Sequence, residues 1–598
     1  MKKIGLLFLG ISIILNSCIE KSKSTDTKTS DDLKKPNIIL IMADDQGWGD
    51  LSSSGNTNLN TPNIDALAKN GISFENFYVQ PVCSPTRAEL LTGRYFTRLG
   101  VYDTSAGGER MNLEETTLAD IFKKEGYATA AYGKWHNGMQ PPYHPNSRGF
   151  DDFYGFTSGH WGSYFSPMLE YNGAIVKGDG FLVDDLTNRG LQFIEKEKER
   201  PFFLYLPYNT PHSPMQVPDA YWNKFKDKLL EKGYHGEEKE DLNFTKAALA
   251  MVENIDFNVG RITNKLRELG IEENTIIIFM SDNGPNGWRW NNGMRGKKGS
   301  TDEGGVRTPF YIQWKNTFKA GKRITQIASA IDILPTLVAL AEISPVTKEP
   351  IDGMDLSKFL LKDSEAIQDR FIFNHWNGRT SIRTQHYRLD EKGRLYNMDK
   401  DLGQTLDVSK KYPHLRDSLE IIKANWLTNT VIITAKNDNR PFTLGHPDYK
   451  YTQIPARDGI PHGNIARSNR FPNNTFFTNW KSVKDSITWD LEVLEDGEFE
   501  VELYYTCPKA SLGTTVSLTF GGNGISKKIS EVHNPPLTGM ENDRSPRMES
   551  YVKNFKPLKM GNITLKKGEG QLVLKALELK EKQGPDIRLL LFKRISAP

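Results

Sequence analysis

The sequence predicts an α/β fold with a mostly parallel or mixed central sheet flanked by helices, a small α+β C-terminal subdomain and an added all-β sandwich. Three observations lead to this prediction. Continuous apolar runs, beginning with residues 37–42, are typical of strands that are buried on both faces of a sheet. Up to about residue 345 these runs alternate with helical patterns, as in sheets that carry helices on their faces. From about residue 431 only strand patterns remain.

The elements of the first part follow one another in a regular order. The strand at 37–42 precedes a helix that begins at Thr61-Pro62 and ends at Gly71, because Thr is a favoured N-cap, Pro fits the first turn and Gly ends helices. Further strands are predicted at 127–132, 202–206 and 275–280, and further helices at 117–124 and 241–269.

The rest of the chain changes character twice. Residues 346–430 carry short strands at 371–373 and 387–389 and one helix near 413–427. Beyond 431, apolar and polar residues alternate at 499–505 after an Asp496-Gly497 turn, and similar runs occur at 516–518 and 572–574. Because 598 residues exceed one ordinary core, we expect a principal domain at 36–345, a subdomain at 346–430 and a β-sandwich at 431–598.

The N-terminus has the pattern of an export signal. Lys2 and Lys3 precede an apolar run at 4–15, which is too short to span a bilayer. The run ends in Leu-Asn-Ser-Cys18, which resembles a bacterial lipobox, so we predict a signal peptide at 1–17 and lipidation of Cys18. Residues 18–35 are polar and predict a tether. The protein is then exported and lipid-anchored to the bacterial outer membrane, on the periplasmic side or the cell surface; the alternative is an ordinary signal peptide with an incidental Cys.

The overall charge excludes one class of partner. Lys and Arg number 77 against 74 Asp and Glu, a formal net charge of only +3. This balance provides no large excess of positive charge to bind a polyanion, so we expect no nucleic-acid partner.

Polar side chains follow the predicted strands at the points where the strands end. Asp44-Asp45, Lys134 with His136, His212 and Asp282-Asn283 each occupy such a position. In open α/β sheets, ligands collect at the carboxyl ends of the strands. A fifth segment predicts a helix that begins at Ser84, which places Cys83 at a helix N-terminus, where anions are favoured.

Four of these residues form a set of oxygen ligands. Asp44, Asp45, Asp282 and Asn283 suit a hard cation such as Ca²⁺, whereas Zn²⁺ prefers His or thiolate. Two adjacent carboxylates at the end of a buried strand also repel each other unless a cation lies between them. The alternative for Asp44-Asp45 is a pair of loop-capping carboxylates.

The motifs together resemble a known family. C-x-P-x-R at 83–87 is followed by L-T-G-R at 91–94, and D-D, G-K-W-H, P-H, S-D-N-G and K-G-x-x-x-E-G-G occur around them. This set, between about 36 and 430, resembles the type I sulfatases of the alkaline-phosphatase-like superfamily. The resemblance implies a sulfuric ester hydrolase with Ca²⁺, a catalytic domain at 36–345 and its C-terminal subdomain at 346–430. It also implies that a formylglycine-generating or sulfatase-maturating enzyme converts Cys83 to formylglycine (3-oxoalanine). The hydrate of this residue is then the nucleophile and, with Asp44, Asp45, Asp282 and Asn283, a ligand of the metal.

The resemblance also implies roles for the basic residues. Arg87 holds the aldehyde hydrate from one helical turn away, and Lys134 and Lys298 surround the sulfate with positive charge. His136 deprotonates the hydrate to release sulfate, and His212 protonates the leaving alcohol. Three positions depart from the family pattern and concern the substrate side: Asn137, Asp302 and residues 401–404. With Cys18 lipidated and Cys83 converted, Cys507 is left without a disulfide partner and is expected in a core.

The substrate pocket is predicted on loops. The candidates are aromatic or basic residues that can stack on sugars or pair with a uronate, chiefly His160, Trp161, Arg289 and His375, and in addition Tyr164, Trp288, Trp290 and Trp376. For each of them ordinary packing is the alternative. Exported sulfatases with an added sandwich resemble bacterial enzymes that desulfate polysaccharides, so we expect sulfated oligosaccharides from a marine algal polysaccharide such as ulvan or carrageenan, with fucoidan and glycosaminoglycans as alternatives.

Two other functions stay open at this point. The first is a phosphonate or phosphodiester hydrolase of the same superfamily, although such relatives tend to carry Asp-His at the position of Asp282-Asn283. The second is a non-catalytic sugar-binding lipoprotein. The sequence leaves undetermined the sugar, the sulfate position, endo or exo action, the oligomeric state and the role of 431–598.

Overall fold

The central sheet of the protein has ten strands and matches the predicted α/β architecture. A computed structural model describes residues 35–344, 347–362, 366–432, 436–581 and 583–595. The predicted signal peptide, the lipidation site Cys18 and the tether up to residue 34 lie outside these ranges. Within them, no helix combines the length and the apolar character that crossing a bilayer requires.

The strands of the first part belong mainly to this central sheet. They are β1 (Asn37–Asp44), β2 (Ile72–Phe74), β3 (Phe77–Tyr78), β4 (Ala128–Lys134), β5 (Asp152–Phe156), β6 (Met168–Tyr171), β7 (Ala174–Lys177), β8 (Phe202–Pro211), β9 (Thr275–Ser281), β10 (Phe310–Trp314), β11 (Lys322–Ile324) and β12 (Ala328–Ser329). The sheet order is β11-β2-β10-β9-β1-β8-β4-β5-β6-β7, while β12 and β3 pair separately. Strands β9, β1, β8, β4 and β5 are parallel to one another, and β10, β6 and β7 run antiparallel to their neighbours.

Helices cover both faces of the sheet. They are α1 (Pro62–Asn70), α2 (Cys83–Thr92), α3 (Leu118–Lys124), α4 (Leu182–Glu197), α5 (Asp219–Phe225), α6 (Leu242–Glu268), α7 (Glu303–Val306) and α8 (Ile333–Leu340). Strand β1 is buried on both faces, so its side chains alternate between two cores: Ile38 and Leu40 pack on the side of α2 and α8, Ile39 and Ile41 on the side of α4 and α6. Because both faces of β1 are buried, its sequence is a continuous apolar run.

A smaller unit follows in the chain. Helix α9 (Ser357–Leu361) precedes a four-stranded antiparallel sheet, β13 (Ile372–Trp376), β14 (Arg379–Arg383), β15 (Tyr387–Leu389) and β16 (Leu395–Asn397), and α10 (Pro413–Thr430) packs on it. The stacked rings of Phe373 and Trp426, with centroids 4.7 Å apart, join the sheet to α10. This arrangement agrees with the α+β subdomain that the sequence predicts.

The final part is a sandwich of two sheets. Its strands are β17 (Phe442–Leu444), β18 (Tyr451–Pro455), β19 (Ile460–His462), β20 (Ala466–Arg467), β21 (Phe477–Thr478), β22 (Ser486–Val493), β23 (Gly497–Thr506), β24 (Thr515–Phe520), β25 (Asn523–Lys528), β26 (Leu537–Thr538), β27 (Val552–Lys553), β28 (Lys556–Leu565), β29 (Gly568–Glu578) and β30 (Asp586–Arg594). One sheet is built around β22, β29 and β24, the other around β30, β23 and β28, and Trp489, Val501, Leu518 and Phe592 are buried with Cys507 in the core that both sheets contribute to.

The sandwich packs closely on the α/β part, and Lys35–Pro598 form one compact unit. Buried polar contacts join the two parts. Arg457 pairs with Glu109 at 2.5 Å, and Gln140 donates to Asp458 at 3.1 Å. Arg110 donates to the carbonyl oxygen of Pro441 at 2.6 Å. These contacts place the sandwich beside the carboxyl ends of the central strands, where the polar residues lie.

Candidate active site

The ends of β1 and β9 bring the four predicted oxygen ligands together. The two strands are parallel neighbours with Ala43 opposite Ser281, so the residues that follow each strand meet at one edge. The backbone N–H of Asp45 donates to Asp282 Oδ1 at 3.1 Å, and Asn283 Nδ2 donates to Asp45 Oδ1 at 2.8 Å. All four side chains are buried. A carboxylate cluster in such a setting needs compensating positive charge.

Two oxygen atoms of this cluster have no hydrogen-bond donor among the residues that the structure describes, although one of them lies 3.8 Å from Arg87 Nη2. Asp44 Oδ1 and Asn283 Oδ1 are buried and accept no hydrogen bond. Ligand atoms of Asp44, Cys83 and Asp282 lie within 4.8 Å of one another, and so do those of Asp44, Asp45 and His212. Buried oxygen atoms that converge without donors fit a hard cation with oxygen ligands.

Helix α2 presents Cys83 to this cluster. The helix begins at Cys83 after an extended Val82, and all ten of its residues are buried. Gly93 ends it with φ of 70°, the left-handed conformation that glycine adopts without strain. The prediction placed the helix start at Ser84, one residue later than observed. Cys83 therefore occupies the first helical turn, and it and Cys507 are both free thiols.

Three basic side chains surround the cluster. Arg87 Nη2 lies 2.7 Å from Asp282 Oδ2, and Arg87 Nη1 donates to the carbonyl oxygen of Lys134 at 2.8 Å. Lys134 Nζ lies 2.7 Å from Asp44 Oδ2, and Lys298 Nζ lies 2.7 Å from Asp45 Oδ1. One turn of α2 separates Cys83 from Arg87, so the spacing in C-x-P-x-R returns the guanidinium to the site.

The charges perturb one another strongly. Burial would raise the pKa of Asp45, but Lys298, His212 and Lys134 outweigh it, and the pKa of this carboxyl falls below its usual range. Burial raises the pKa of Asp44 well above its usual value, although Lys134 opposes this. Burial would lower the pKa of Lys298, but the negative charges of Asp45, Cys83 and Asp44 together outweigh it and raise this pKa. Asp44 is thus the carboxyl whose charge the protein alone compensates least.

His136 is held in one tautomer. It follows β4 with φ of 65°, and its Nε2 lies 2.8 Å from the carbonyl oxygen of Thr104. A carbonyl accepts only, so Nε2 carries the proton and Nδ1 is left as an acceptor, which is buried without a partner. Burial and the nearby Lys134 lower the pKa of His136 well below its usual value, so the ring is neutral.

His212 has the opposite arrangement. Its Nδ1 donates to the carbonyl oxygen of Ser213 at 2.7 Å, and its Nε2 lies 3.6 Å from Asp45 Oδ2. The Tyr164 hydroxyl donates to the same loop, at 2.7 Å from the carbonyl oxygen of Ser213. Burial, with Lys298 next, lowers the pKa of His212 to about 4. The loop therefore fixes Nε2 as the ring nitrogen that faces the cluster.

The predicted pocket residues lie in different places: His160 and Trp161 lie beside the candidate site, and His375 lies in the smaller unit. His160 lies at the site, with its ring centroid 5.7 Å from that of His212. Trp161 follows it and lines a cavity of about 590 Å³ between the α/β part and the sandwich. His375 lies in the smaller unit, where its Nδ1 is 2.7 Å from Thr380 Oγ1 and its ring packs near Phe96.

Arg289 has a different environment from the one expected of a substrate ligand. Its guanidinium forms a two-pronged pair with Asp50, at 2.8 and 2.6 Å, and donates to the carbonyl oxygen of Asp45 at 3.0 Å. The side chain is only 4% exposed. This geometry indicates that Arg289 holds the Asp45 loop in place. Substrate contact by Arg289 stays a prediction, and the pairing with Asp50 argues against it. Trp288 stacks on Tyr234 at 4.9 Å.

Sequence reasoning missed polar residues that the sandwich brings to the site. Glu549 accepts a hydrogen bond from Ser213 Oγ at 2.5 Å, next to His212. Arg457 pairs with Glu109, whose charge acts on His136. No local motif marks Glu549 or Arg457, because only the packing of two distant chain segments creates these neighbours. Asn137, a departure from the family pattern, donates to the carbonyl oxygen of Ser84 at 3.2 Å and so supports the first turn of α2.

The fold and the site define a class of hydrolase. A mixed α/β sheet carries a buried nucleophile candidate, an oxygen-ligand cluster, three cations and two histidines at the carboxyl ends of its strands. The model of the Sulfatase family matches residues 36–343, which is more than half of the chain. The chain belongs to the Sulfatase family and is a sulfuric ester hydrolase.

Individual relatives agree with this assignment. The N-acetylgalactosamine-6-sulfatase of Mus musculus is 34% identical over 381 residues, which cover 58% of this chain and 69% of that protein. Arylsulfatase A of Homo sapiens is 32% identical over 405 residues, with 59% and 74% covered. Both matches leave about two fifths of this chain uncovered.

Solved structures extend the likeness. The crystal structure of Ps i-CgsB in complex with k-i-k-neocarrahexaose is 32% identical, with a TM-score of 0.60, and the match covers 68% of this chain and 96% of that one. The PsFucS1 sulfatase from Pseudoalteromonas sp. is 24% identical, with a TM-score of 0.57, and the match covers 67% of this chain and 92% of that one. The phosphonate monoester hydrolase of Agrobacterium radiobacter is 22% identical, with a TM-score of 0.50, and the match covers 68% of this chain and 100% of that one. Both of these likenesses show the fold alone.

Proposed function

We propose that this enzyme hydrolyses sulfate esters on a carbohydrate, with a formylglycine formed from Cys83 and a Ca²⁺ ion held by Asp44, Asp45, Asp282 and Asn283. One observation carries the proposal: Cys83, at the first turn of a buried helix, shares a cluster of ligand atoms within 4.8 Å with Asp44 and Asp282. The Sγ atom of the unmodified Cys83 stands in for the oxygen atoms of the modified residue. The hydrated aldehyde would supply a nucleophile with a second hydroxyl, which Cys or Ser lacks.

The side chains at the site fit Ca²⁺. The four proposed ligands would bind through oxygen atoms, and Asp44 Oδ1 and Asn283 Oδ1 are buried without a hydrogen-bond donor in the described part of the chain. When bound, a divalent cation supplies Lewis-acid chemistry at an oxygen of the reacting group. Asn283 supports this choice over a transition metal, which would prefer a His at that position.

The charges of the site favour an anionic sulfate. Three carboxylates, Asp44, Asp45 and Asp282, face three cations, Arg87, Lys134 and Lys298, so the formal charges of these six groups cancel. A divalent cation then leaves the site positive. Lys134 and Lys298 are anchored on carboxylates, so they present fixed charge to developing negative charge on the sulfuryl oxygens without reorganising.

The two histidines are oriented for opposite proton transfers. His136 is neutral with a free Nδ1, which suits a base that takes a proton from the modified residue 83. His212 presents Nε2 towards the cluster, and protonation at that atom would let it donate to the leaving alcohol oxygen. The pKa of about 4 for His212 applies without substrate; the negative charge of a bound sulfate ester favours the protonated ring.

For the substrate we infer sulfated oligosaccharides from a marine algal polysaccharide. Support comes from Ps i-CgsB, whose crystal structure contains k-i-k-neocarrahexaose and which is 32% identical to this chain. His160 and Trp161, next to the site, are the residues that we expect to contact sugar. The mouse relative is an N-acetylgalactosamine-6-sulfatase, so amino sugar sulfates belong in the same substrate panel.

The cellular setting is part of the same proposal. We infer that a sulfatase-maturating or formylglycine-generating enzyme acts on Cys83, that the chain is exported, and that Cys18 carries lipid that anchors it to the outer membrane. The support for export and lipidation is the sequence pattern of residues 1–18 alone, and the support for maturation is the C-x-P-x-R motif at 83–87. Metabolic labelling with a lipid precursor, compared between wild type and Cys18→Ala, tests the anchor.

The test of function is release of free sulfate from a panel of defined sulfated oligosaccharides, with a phosphodiester as comparison. We expect sulfate release from at least one carbohydrate and loss by about 10³ or more in Cys83→Ala, because the nucleophile is removed. Cys507→Ala is the matched control. The thiol of Cys507 is buried in the sandwich core, so this variant should retain activity. Preference for the phosphodiester, or undiminished turnover by Cys83→Ala, would refute the proposal.

A further inference from the structure

One segment of the sandwich, residues 537–553, reaches across to the loops of the active site. Gln216 donates to the carbonyl oxygen of Gly539 at 2.7 Å and to Asp543 at 2.9 Å. The backbone N–H of Arg544 donates to the carbonyl oxygen of Met215 at 2.9 Å. Arg547 donates to the carbonyl oxygen of Gly162 at 2.6 Å. The segment is therefore anchored on both loops that flank the catalytic pocket, the one that carries His212 and the one that carries His160.

Glu549 is the residue of this segment that contacts the loop of His212. Its Oε1 accepts the hydrogen bond from Ser213 Oγ at 2.5 Å, and Ser213 is the one side chain that donates to it within the described part of the chain. The neighbouring Arg547 is occupied by Asp543, at 2.7 Å from Nε to Oδ2, and by the Gly162 carbonyl oxygen. Among the described residues no Lys or Arg forms an ion pair with Glu549, and its lowered pKa keeps the carboxylate ionised with acceptor capacity left for a ligand.

His160 faces the same space with unused ring nitrogens. His160 is 5% exposed, and within the described ranges of the chain neither Nδ1 nor Nε2 of its ring has a hydrogen-bond partner. Burial lowers the pKa of His160 to about 3, although Glu549 opposes this, so the ring is neutral and offers one donor and one acceptor. A buried side chain with two unsatisfied nitrogens beside an ionised carboxylate indicates a place where polar groups of a ligand bind.

We propose that Glu549 and His160 together bind a hydroxyl group of the sugar that carries the scissile sulfate, and that Glu549 excludes a second anionic substituent at that position. The inference rests on the proposed function, since it places the sugar beside His212. A sugar hydroxyl can donate to the carboxylate and exchange a hydrogen bond with the imidazole, which satisfies both. A second sulfate or a uronate there would meet a like charge in a buried site, which disfavours binding. The sandwich would then determine specificity.

The test measures binding and turnover separately with Glu549→Gln, which keeps the size of the side chain and removes its charge. On a Cys83→Ala background, calorimetric titration with a singly sulfated sugar should show about tenfold weaker binding, the effect of losing a charge-assisted hydrogen bond. In the active enzyme, the ratio of kcat/KM for a singly sulfated sugar to kcat/KM for its doubly sulfated form should fall about tenfold. His160→Ala should weaken binding of the singly sulfated sugar similarly.

Two control variants separate specificity from simple anchoring. Glu531→Gln changes an exposed carboxylate of the sandwich outside this segment and should leave both the affinity and the kcat/KM ratio unchanged. Asp219→Asn removes the charged partner of Arg544, which also anchors the segment, and should leave the ratio between the two sugars unchanged. The inference is overturned if Glu549→Gln leaves that ratio unchanged or if Asp219→Asn changes it equally. If wild type releases no sulfate from any sugar, the proposed function fails first, and the calorimetric titration still reports whether Glu549 binds sugar.

Discussion

At the scale of residues, the site is organised by which buried polar atoms have partners and which do not. Arg87, Lys134 and Lys298 are each paired with a carboxylate, so their positions are fixed before a substrate arrives. Asp44 Oδ1, Asn283 Oδ1 and His136 Nδ1 are buried and have no hydrogen-bond partner among the residues with described positions. The paired groups supply fixed charge, and the unpaired groups are the ones available to a cation, to residue 83 or to a proton.

The first residue-scale prediction concerns the cation. Asn283→Ala should weaken Ca²⁺ binding by about tenfold or more, because it removes a buried oxygen ligand, and even residues that only support ligands contribute about 10–100-fold. The measurement is calorimetric titration of chelator-treated enzyme with Ca²⁺. Asn264→Ala, on the exposed side of α6, is the control and should leave affinity unchanged. Equal affinities of all three proteins would contradict the assigned ligand set.

The second residue-scale prediction concerns His136. Its neutral ring with a free Nδ1 is placed to accept a proton, so His136→Ala should reduce kcat by about 10²–10⁴ with a much smaller effect on KM. Steady-state sulfate release measures both. His386→Ala, at an exposed His paired with Asp399, should behave as wild type. A variant that loses affinity while keeping kcat would assign His136 to substrate binding.

At the scale of elements, the site depends on strand ends and on one buried helix. Parallel pairing of β1 with β9 and β8 brings Asp45, Asp282 and His212 to one edge, as expected for an α/β sheet. Helix α2 is buried along its whole length, so the position of Cys83 is set by packing on every side. The sandwich adds a second support, because Arg457 holds Glu109 beside the His136 loop.

The Arg457–Glu109 pair yields a prediction for this junction. Arg457→Leu leaves Glu109 and Asp458 buried without their cation, and breaking a buried pair in this way costs about 3–5 kcal/mol. The unfolding temperature in a thermal scan should fall, and activity should fall with it because Glu109 lies near His136. Arg470→Leu, at an exposed position, should change neither. An Arg457→Leu enzyme as stable as wild type would show that the junction does not depend on this pair.

At the scale of the whole molecule, the sandwich is part of the enzyme's structure. It contacts the α/β part through buried charged and polar groups such as Arg110, Glu109 and Gln140, and the segment at 537–553 anchors on the active-site loops. Removal of the sandwich would expose these groups together with the pocket wall. The Sulfatase match ends at residue 343, so this integration belongs to the additional part of the chain.

A truncated chain tests this integration. A protein that ends at residue 430 should be poorly soluble or inactive, whereas one that begins at residue 35 should be soluble and active. Soluble yield and sulfate release measure the outcome. If the chain ending at 430 folded and kept wild-type turnover and selectivity, the sandwich would be an independent attachment.

The sequence predicts the layered sheet and the meeting of most of the candidate site residues, because both depend on local patterns. Buried strands have continuous apolar runs, and the residues after them meet at a sheet edge, as Asp44 and Asp282 do. Contacts that form when distant segments pack together could not be predicted from the sequence. Glu549 lies 336 positions from its partner Ser213, and Arg289 pairs with Asp50 across 239 positions. Nothing in the neighbouring sequence distinguishes Glu549 from other surface carboxylates.

The central claim is that residue 83 of the active enzyme is an aldehyde and not a thiol. Peptide mass spectrometry of enzyme purified from a host that carries a sulfatase-maturating enzyme tests it most directly. The account predicts that the peptide containing residue 83 has the mass of formylglycine, reacts with a hydrazide probe, and is modified in proportion to specific activity. An unmodified Cys83 thiol in fully active enzyme would contradict it.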